Sequence, residues 1–362
     1  AARNHLDPAV VDDIQLGCVT QVGDQGANIA KISALYAGWP ASVSGATVNR
    51  FCASGLDAVA NAAARVHAGI HGMAVAGGVE SMSRVPMLSD DGAWFHDPEV
   101  AARTEFIHMG ISADLIATQL GLTRTELDEF AVRSHRLAAA ATEAGAFARS
   151  LVPVLGSDGE VVLDRDERIR PELTCEALAA RGPAFAAMLH GPTKELVAAK
   201  YPELLPVAHH HHSGNGPGMV DGAALLLLGS PEAGRACGLQ PRARIRGFAT
   251  ASVEPVLMLT APAPATRKAL AHAGLQVADI DSFEINESFS APVIACQRAL
   301  GIEMGRVNNW GGAIAMGHPL GATGAVLILT LLDRLEREDQ QFGVVTMCAG
   351  AGLGAALVIE RV

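Results

Sequence analysis

Three side chains that suit nucleophilic and acid–base chemistry, together with an asparagine that can hydrogen-bond beside them, stand at turns or strand ends of this 362-residue chain, and the first is Cys52. It follows a strand-like stretch and precedes apolar residues at helical spacing from Leu56 to Val66, which predicts a thiol on a tight turn at a helix N-terminus. Unpaired N–H groups there favour an anion, so we expect the Cys52 thiolate to form more readily than that of a free cysteine. The alternative is a small buried side chain without chemistry, the commoner role of a cysteine.

Three further clusters stand at the ends of predicted strands or at predicted helix starts. Asn286 follows the predicted strand 282–285, His318 lies among glycines just before an apolar helix, and Cys348 follows the predicted strand 343–347. An imidazole can act as a base near neutral pH, and a thiol can donate or accept a proton once its pKa is adjusted. The alternatives are a hydrogen-bonded core histidine and a cysteine that packs at a strand end.

The composition favours an α/β enzyme and argues against several other classes. The chain has 38 glycines and only 4% aromatic residues, which suits close packing of helices on sheets. Its net charge of −11 argues against a nucleic-acid partner. The six cysteines show no paired spacing, so we expect neither a disulfide framework nor a zinc site, and a cytoplasmic location. No apolar run approaches the ~20 residues of a membrane span, so we expect no membrane insertion.

The order of the predicted elements indicates two similar halves around an insertion. The last third repeats the plan of the first, in which a strand leads through a turn to a helix and a further strand, and this implies a duplicated α/β unit. The irregular stretch from about residue 85 is an inserted lobe, and Thr123 with Glu126 forms a capping box that begins its long helix. The remaining predictions are a strand at 14–19, helices at 25–37 and from Leu56 to Gly69, a strand at 72–79 and a buried strand at 223–228.

Four consecutive histidines, His209 to His212, precede a stretch that we name the glycine loop, residues 213–218. Four adjacent side chains cannot all reach one metal ion from regular structure, so we predict a loop here and no metal site.

The four clusters, together with Gly77 to Ser83, resemble the thiolase family, the coenzyme A-dependent acyltransferases that make or cleave 3-ketoacyl-CoA. The likeness covers nearly the whole chain. It implies an α/β fold of duplicated βαβ domains in a layered αβαβα arrangement with an inserted loop lobe. The implied domains are an N-terminal domain of residues 1–84 and 206–232, the lobe of residues 85–205, and a C-terminal domain of residues 233–362.

The same resemblance implies a role for each catalytic candidate. Cys52 is the nucleophile that takes the acyl group, and His318 is the base that activates it. Cys348 is a general acid and base. Asn286 holds a water that forms one oxyanion hole with His318, while the N–H groups of Gly350 and Cys52 form the other. Glu287 carries less weight as a catalytic carboxylate than as a support for its loop.

Substrate contacts are implied as well, with CoA as a substrate and no permanently bound cofactor. The lobe would meet the adenine and the 3′-phosphate of CoA. The resemblance also implies a homodimer or homotetramer, and a β-oxidation partner subunit is an open possibility. The substrate-binding candidates are His108, Met109, Ser213, Pro217 and Phe289.

Three features depart from the family pattern. The family's first strand and most of its first helix have no counterpart in this sequence, and we expect the molecule to contain further residues before Ala1. Pro217 stands where many members have a serine, and it offers neither a hydroxyl nor an N–H to the pantetheine arm, so altered CoA affinity is expected. Trp310 places an indole near the glycines of the His318 segment, where it either narrows the acyl pocket or packs, and we favour packing.

The resulting prediction is thiolytic cleavage of 3-ketoacyl-CoA in lipid breakdown, or the reverse condensation, through an acyl-cysteine intermediate. One alternative is a decarboxylating condensing enzyme, against which Cys348 argues, since such enzymes pair the cysteine with two histidines or with histidine and asparagine. The other is a catalytically impaired CoA- or lipid-binding protein, which Pro217 and Trp310 motivate.

Overall fold

The computed structural model describes residues 4–362, so Ala1, Ala2 and Arg3, which begin the predicted 1–84 range, lie outside the described residues. The strands are β1 Asp13–Gly17, β2 Ser44–Val48, β3 Met73–Ser81, β4 Val154–Leu155, β5 Val161–Leu163, β6 Asp221–Gly229, β7 Ala243–Ser252, β8 Ser282–Ile285, β9 Phe342–Ala349 and β10 Leu353–Arg361. The α-helices are α1 Ile29–Tyr36, α2 Ser54–His67, α3 Ala93–His96, α4 Pro98–Arg103, α5 Met109–Gln119, α6 Arg124–Glu143, α7 Cys175–Ala179, α8 Gly191–Lys200, α9 Pro231–Ala236, α10 Pro262–Ala273, α11 Ser290–Leu300, α12 Ala313–Met316 and α13 Leu320–Arg337.

The N-terminal sheet has the strand order β2-β1-β3-β6. Strands β1, β2 and β3 are parallel, and β6 returns from beyond the lobe to pair antiparallel with β3. The prediction that residues 223–228 form a buried strand was wrong about burial. Within the described residues β6 is an edge strand with one neighbour, and Leu225 is 56% exposed although the strand is rich in leucine.

The C-terminal sheet repeats this plan with the order β7-β10-β9-β8. Strand β8 is parallel to β9, as β1 is parallel to β3 in the first sheet. Strand β10 turns back antiparallel to β9, as β6 does to β3. The predicted duplication is therefore confirmed in the topology. Strand β7, antiparallel to β10, has no counterpart in the N-terminal sheet of residues 4–362.

The two halves join through α2 and α13, which lie between the two sheets and give the layered arrangement. Their apolar faces form one buried cluster with residues of both sheets, including Leu56, Leu331 and Val345. The close approach requires glycine, because a Cβ on Gly78 of β3 would lie 1.9 Å from the carbonyl oxygen of Gly321. The end of β3 in the first half and the start of α13 in the second half therefore lie in direct contact.

The lobe lies between β3 and β6 and contributes α3 to α8 and the β4–β5 hairpin. The capping box at Thr123 and Glu126 is confirmed, with the Thr123 hydroxyl accepting from the Glu126 N–H and the Glu126 carboxylate accepting from the Thr123 N–H. Within residues 4–362, no helix combines the length and the apolar character that crossing a membrane would need.

Candidate active site

The Cys52 turn is held by a short backbone motif. Phe51 has a φ of +47°, and the Arg50 N–H donates to Ser54 Oγ at 2.8 Å while that hydroxyl donates to the Phe51 carbonyl. Helix α2 begins two residues after the cysteine, as predicted. The side chain is held at this bend rather than in a regular element, and the left-handed backbone at Phe51 is a conformation that favours glycine and is tolerated where surrounding structure fixes it.

The expectation of an easily formed Cys52 thiolate was wrong for the substrate-free protein. Burial raises the pKa of the Cys52 thiol to about 12, and repulsion from Cys348 adds to the rise. The N–H of Cys52 itself opposes the shift but does not overcome the loss of water. The thiol is therefore neutral at neutral pH and needs a base.

His318 and Asn286 come together from two different turns of the C-terminal half. Nε2 of His318 lies 3.4 Å from Asn286 Nδ2, and Nδ1 lies 2.6 Å from Thr323 Oγ1. Because an amide nitrogen can only donate, Nε2 accepts and the ring proton sits on Nδ1. Burial lowers the pKa of His318 to about 4, so the imidazole is neutral at neutral pH and able to take a proton.

Oδ1 of Asn286 is buried and has no hydrogen-bond partner among residues 4–362. A buried amide oxygen without a partner is costly, and such an atom beside a catalytic imidazole is suited to accept a hydrogen bond from a water. The geometry is thus compatible with the water-holding role that the resemblance implies for Asn286.

Cys348, the second-to-last residue of β9, contacts the Asn286 segment through Ser288. Its Sγ lies 3.1 Å from Ser288 Oγ, and both side chains are buried. Burial raises the pKa of Cys348 to about 11, and the hydrogen bond with Ser288 opposes the rise. Sequence reasoning missed Ser288, since a serine in a loop gives no signal of its partner.

Gly350 lies beside the Cys52 turn. A Cβ built on Gly350 would lie 3.3 Å from Cγ of Phe51, so the turn after Cys348 packs against the turn that carries Cys52. The sequence-predicted catalytic residues of both halves therefore converge on one buried centre.

Glu287 acts on the loop and not on this centre. Its carboxylate accepts hydrogen bonds from Ser134 Oγ at 2.7 Å, from Asn308 Nδ2 at 3.0 Å and from the Ile314 N–H at 3.0 Å. Three donors occupy its oxygens and fix the adjacent Asn286 in place, in agreement with the supporting role expected from the sequence.

Family models match both halves of the chain. The model described as "Thiolase, N-terminal domain" matches residues 1–194, and the model described as "Thiolase, C-terminal domain" matches residues 239–361. The chain belongs to the thiolase family.

Relatives of this thiolase match over almost their whole length. A β-ketoadipyl-CoA thiolase of Pseudomonas knackmussii is 42% identical over 377 residues, which cover 99% of this chain and 89% of the relative. A 3-ketoacyl-CoA thiolase of Erwinia tasmaniensis is 43% identical over 366 residues with the same coverage. The crystal structure of the Bacillus anthracis acetyl-CoA acetyltransferase superposes with a TM-score of 0.85 at 35% identity, covering 99% of this chain and 89% of that one.

Two of the predicted substrate-binding residues of this thiolase belong to a wall of four rings. His108 stacks on Phe185 at 5.2 Å between centroids, Phe185 meets Phe289 edge-on at 5.5 Å, and Phe289 meets His211 at 5.2 Å. Met109, the first residue of α5, packs against the neighbouring hydrophobic core. No sequence pattern indicated Phe185 or His211, because only tertiary packing brings them to the other two rings.

The glycine loop lies against this wall, since a Cβ on Gly216 would lie 2.9 Å from the ring of Phe289. Ser213, at the start of the loop, is exposed and its hydroxyl accepts from Arg181 at 3.0 Å. Pro217 is half-buried. The guanidinium of Arg168 packs on Gly218, where a Cβ would lie 2.1 Å from its central carbon.

The four histidines before the loop are held by two carboxylates of the lobe. Asp114 lies 2.8 Å from both His209 Nδ1 and His211 Nδ1, and Asp128 lies 2.9 Å from His212 Nε2. Asp128 also accepts from Asn215 of the glycine loop at 2.9 Å. The run thus fixes the loop to the lobe, and within residues 4–362 no group of side chains is arranged to hold a metal ion.

Trp310 packs, as the sequence favoured. Its indole meets Phe147 edge-on at 5.7 Å in a small cluster with Ala141 and Ala146, and its N–H donates to Glu338 at 3.1 Å. The side chain therefore packs against the end of α6 and the residues that follow it, and its N–H is paired just beyond the end of α13.

Proposed function

We propose that this thiolase cleaves 3-ketoacyl-CoA by thiolysis through an acyl intermediate on Cys52. The observation that carries the proposal is the convergence of Cys52, the His318–Asn286 pair and Cys348 on one buried centre. The chain is a CoA-dependent acyltransferase. CoA enters as a substrate, and the reaction uses no permanently bound cofactor.

In the first half-reaction Cys52 Sγ attacks the C3 carbonyl carbon of the substrate, and Nε2 of His318 takes the thiol proton during the attack. The bond between C2 and C3 then breaks and its electron pair passes to C2 as the enolate of acetyl-CoA. The Cys348 thiol gives its proton to C2, which releases acetyl-CoA and leaves Cys348 as a thiolate. The neutral states of His318 and Cys348 at neutral pH suit these roles.

In the second half-reaction a new CoA thiol gives its proton to the Cys348 thiolate and attacks the acyl group on Cys52. The Cys52 sulfur leaves and recovers its proton from His318, so both cysteines end as thiols. Ser288, which lies 3.1 Å from Cys348 Sγ, stabilises that sulfur while it carries a negative charge.

Two sites receive the negative charge of the carbonyl oxygens. One consists of His318 and a water on Oδ1 of Asn286, and the other consists of the N–H groups of Cys52 and Gly350. Donors preorganised in this way contribute about 3 kcal/mol each to transition-state stabilisation in comparable acyl transfers.

The substrate's CoA portion enters along the glycine loop. The ring wall of His108, Phe185 and Phe289 suits the pantetheine arm, and Arg168 and Arg181 at the two ends of the loop suit the phosphates. The altered affinity expected from Pro217 stays a prediction. The names of the Pseudomonas and Erwinia relatives support a 3-ketoacyl substrate and a degradative direction, as in β-oxidation.

We also propose a cytoplasmic homo-oligomer, with a β-oxidation partner subunit as a further possible component. The six cysteines are free thiols, which suits a reducing compartment. The outer face of α1 exposes Ile32 and Leu35, and Tyr36 at its end is 95% exposed, which suits burial against a second copy. A molar mass in solution of two or four chains would support the assembly, and a monomer at micromolar concentration would contradict it.

The experiment is intact-protein mass spectrometry after brief incubation with acetyl-CoA, with peptide mapping of the adduct. We expect an acetyl group on Cys52, the same adduct in a Cys237→Ala control, and none in Cys52→Ala. Absence of an adduct with acetyl-CoA still bound would favour the binding-protein alternative, and an adduct on another cysteine would overturn the assignment of the nucleophile.

A further inference from the structure

Trp94, in the short helix α3 of the lobe, reaches between the two cysteine turns. Its indole lies 5.0 Å from the ring of Phe51, the residue before Cys52, and 4.9 Å from the ring of Phe106. A Cβ built on Gly350 would lie 3.1 Å from Cη2 and 3.3 Å from Cζ3 of the indole. The indole therefore packs directly on the backbone of Gly350 and beside the Cys52 turn.

In the proposed reaction an acyl group on Cys52 has its oxygen held by the N–H groups of Cys52 and Gly350, and Trp94 lies next to the two turns that supply those groups. The indole of Trp94 occupies the surface beside these turns, backed by Phe51 and Phe106, and it is the lobe and not either half that supplies it.

The polar edge of the indole lacks a partner. Nε1 of Trp94 is buried and has no hydrogen-bond acceptor among residues 4–362. A buried indole N–H is normally paired, as that of Trp310 is with Glu338. The side chain as a whole is half-buried, so part of the indole is open to solvent although its N–H is not.

We propose that Trp94 determines acyl specificity: its ring limits the acyl group to short chains, and its N–H donates to a hydrogen-bond acceptor at the far end of the chain, such as a carboxylate. The substrates that fit this arrangement are short 3-ketoacyl-CoA esters whose acyl chain ends in a polar group. The inference rests on the proposed function, since it needs an acyl group on Cys52.

The test measures kcat/KM for thiolysis in the full chain with four probes, which form two pairs. Acetoacetyl-CoA and 3-ketodecanoyl-CoA report chain length. The third probe, 3-ketoadipyl-CoA, is compared with 3-ketohexanoyl-CoA, which has the same number of carbons but ends in a methyl group. The variants are Trp94→Ala, which removes the ring, and Trp94→Phe, which keeps a ring and removes the donor. Trp310→Phe is the matched control, because that indole packs away from the site.

We expect Trp94→Ala to raise the ratio of kcat/KM for 3-ketodecanoyl-CoA over acetoacetyl-CoA by about tenfold or more. We expect Trp94→Phe to lower the preference for 3-ketoadipyl-CoA over 3-ketohexanoyl-CoA by about tenfold, the effect of one hydrogen bond to a charged group. Trp310→Phe should change neither ratio. Unchanged ratios in both Trp94 variants, with normal turnover, would overturn this inference alone. No turnover of any probe by the unaltered chain would instead overturn the proposed function.

Discussion

The buried catalytic centre and the lobe that faces it are built in different ways. Cys52, Asn286, His318 and Cys348 are all buried and stand at the ends of elements that belong to the two packed halves. The lobe contributes half-buried side chains that face this centre and the glycine loop: Trp94 packs on Gly350 and Phe51, and His108 stacks on Phe185, which meets Phe289. This contrast indicates that the duplicated fold fixes the chemistry, whereas recognition depends on the insertion. Changes in the centre should therefore lower kcat, and changes in the lobe should alter KM or substrate preference.

The largest effect should separate the two cysteines of the centre. Cys52→Ala removes the nucleophile, so we expect kcat to fall on the order of 10⁴-fold or more. Cys348→Ala removes only the acid and base, so we expect a loss of about 10² to 10⁴-fold. Steady-state thiolysis of acetoacetyl-CoA measures both.

Formation of the acyl adduct distinguishes the roles of Cys52 and Cys348 even if their alanine variants lose similar amounts of kcat. Acetyl-CoA should still acylate Cys52 in the Cys348→Ala variant, because that step uses His318. If Cys348→Ala formed no adduct while remaining folded by circular dichroism, the assignment of separate roles to the two cysteines would be wrong.

The acid limb of the pH profile should report His318. Only the neutral imidazole can take the Cys52 proton, and burial lowers its pKa to about 4, so activity is present above that pH and is lost as the pH falls through it. We expect log kcat/KM to be flat from about pH 5 to about pH 8 and to fall about one unit per pH unit below about pH 4. The far-UV circular dichroism spectrum over the same range is the control for acid unfolding. A limb near the ordinary histidine pKa of about 6.5 in folded protein would contradict the burial argument.

A smaller effect is expected at Ser288, which lies in the centre but acts through Cys348. Ser288→Ala removes the hydrogen bond that opposes the rise of the Cys348 pKa, so that pKa should move further up. We expect a loss of kcat of about tenfold and slower alkylation of Cys348 by iodoacetamide at every pH below the pKa, measured by peptide mapping in a Cys52→Ala background. Ser288→Thr should restore part of the alkylation rate because it restores the hydroxyl, and a merely structural role would not produce that pattern.

The sequence predicted the centre far better than it predicted the lobe. Cys52, His318 and Cys348 stand near glycines at turns or at the end of a strand, and that local pattern, with the family resemblance, marks them without any tertiary information. Trp94 meets Gly350 and Phe185 meets His108 only because the chain folds back over a long separation, and no periodicity signals such a pair. The prediction for the Cys52 pKa was wrong for the same reason: the helix N-terminus is visible in sequence, but the burial that outweighs it is not.

The same limit applies to β6, whose leucines favoured a buried strand. Hydrophobicity along a strand shows what the side chains prefer, but the cover on the two faces of the sheet decides whether they are buried. In the described residues β6 pairs only with β3, and Leu225 is exposed. The exposed edge of β6 and its Leu225 suit burial against another segment of the same molecule or against a second copy.

The smallest effect is expected where the lobe meets the CoA phosphates. Arg168→Ala should raise the KM for acetoacetyl-CoA about five- to tenfold and change kcat by less than about twofold, because in the proposed function the guanidinium on Gly218 binds the CoA portion and not the reacting carbons. The increase should shrink as salt is added, since the phosphates are partly exposed to solvent. Arg103→Ala is the matched control, an exposed arginine of the same lobe paired with Glu99, and should leave KM unchanged. A loss of kcat in Arg168→Ala with constant KM would place Arg168 with the catalytic centre. The claim that the centre carries out the chemistry and the lobe binds substrate would then be wrong for this residue.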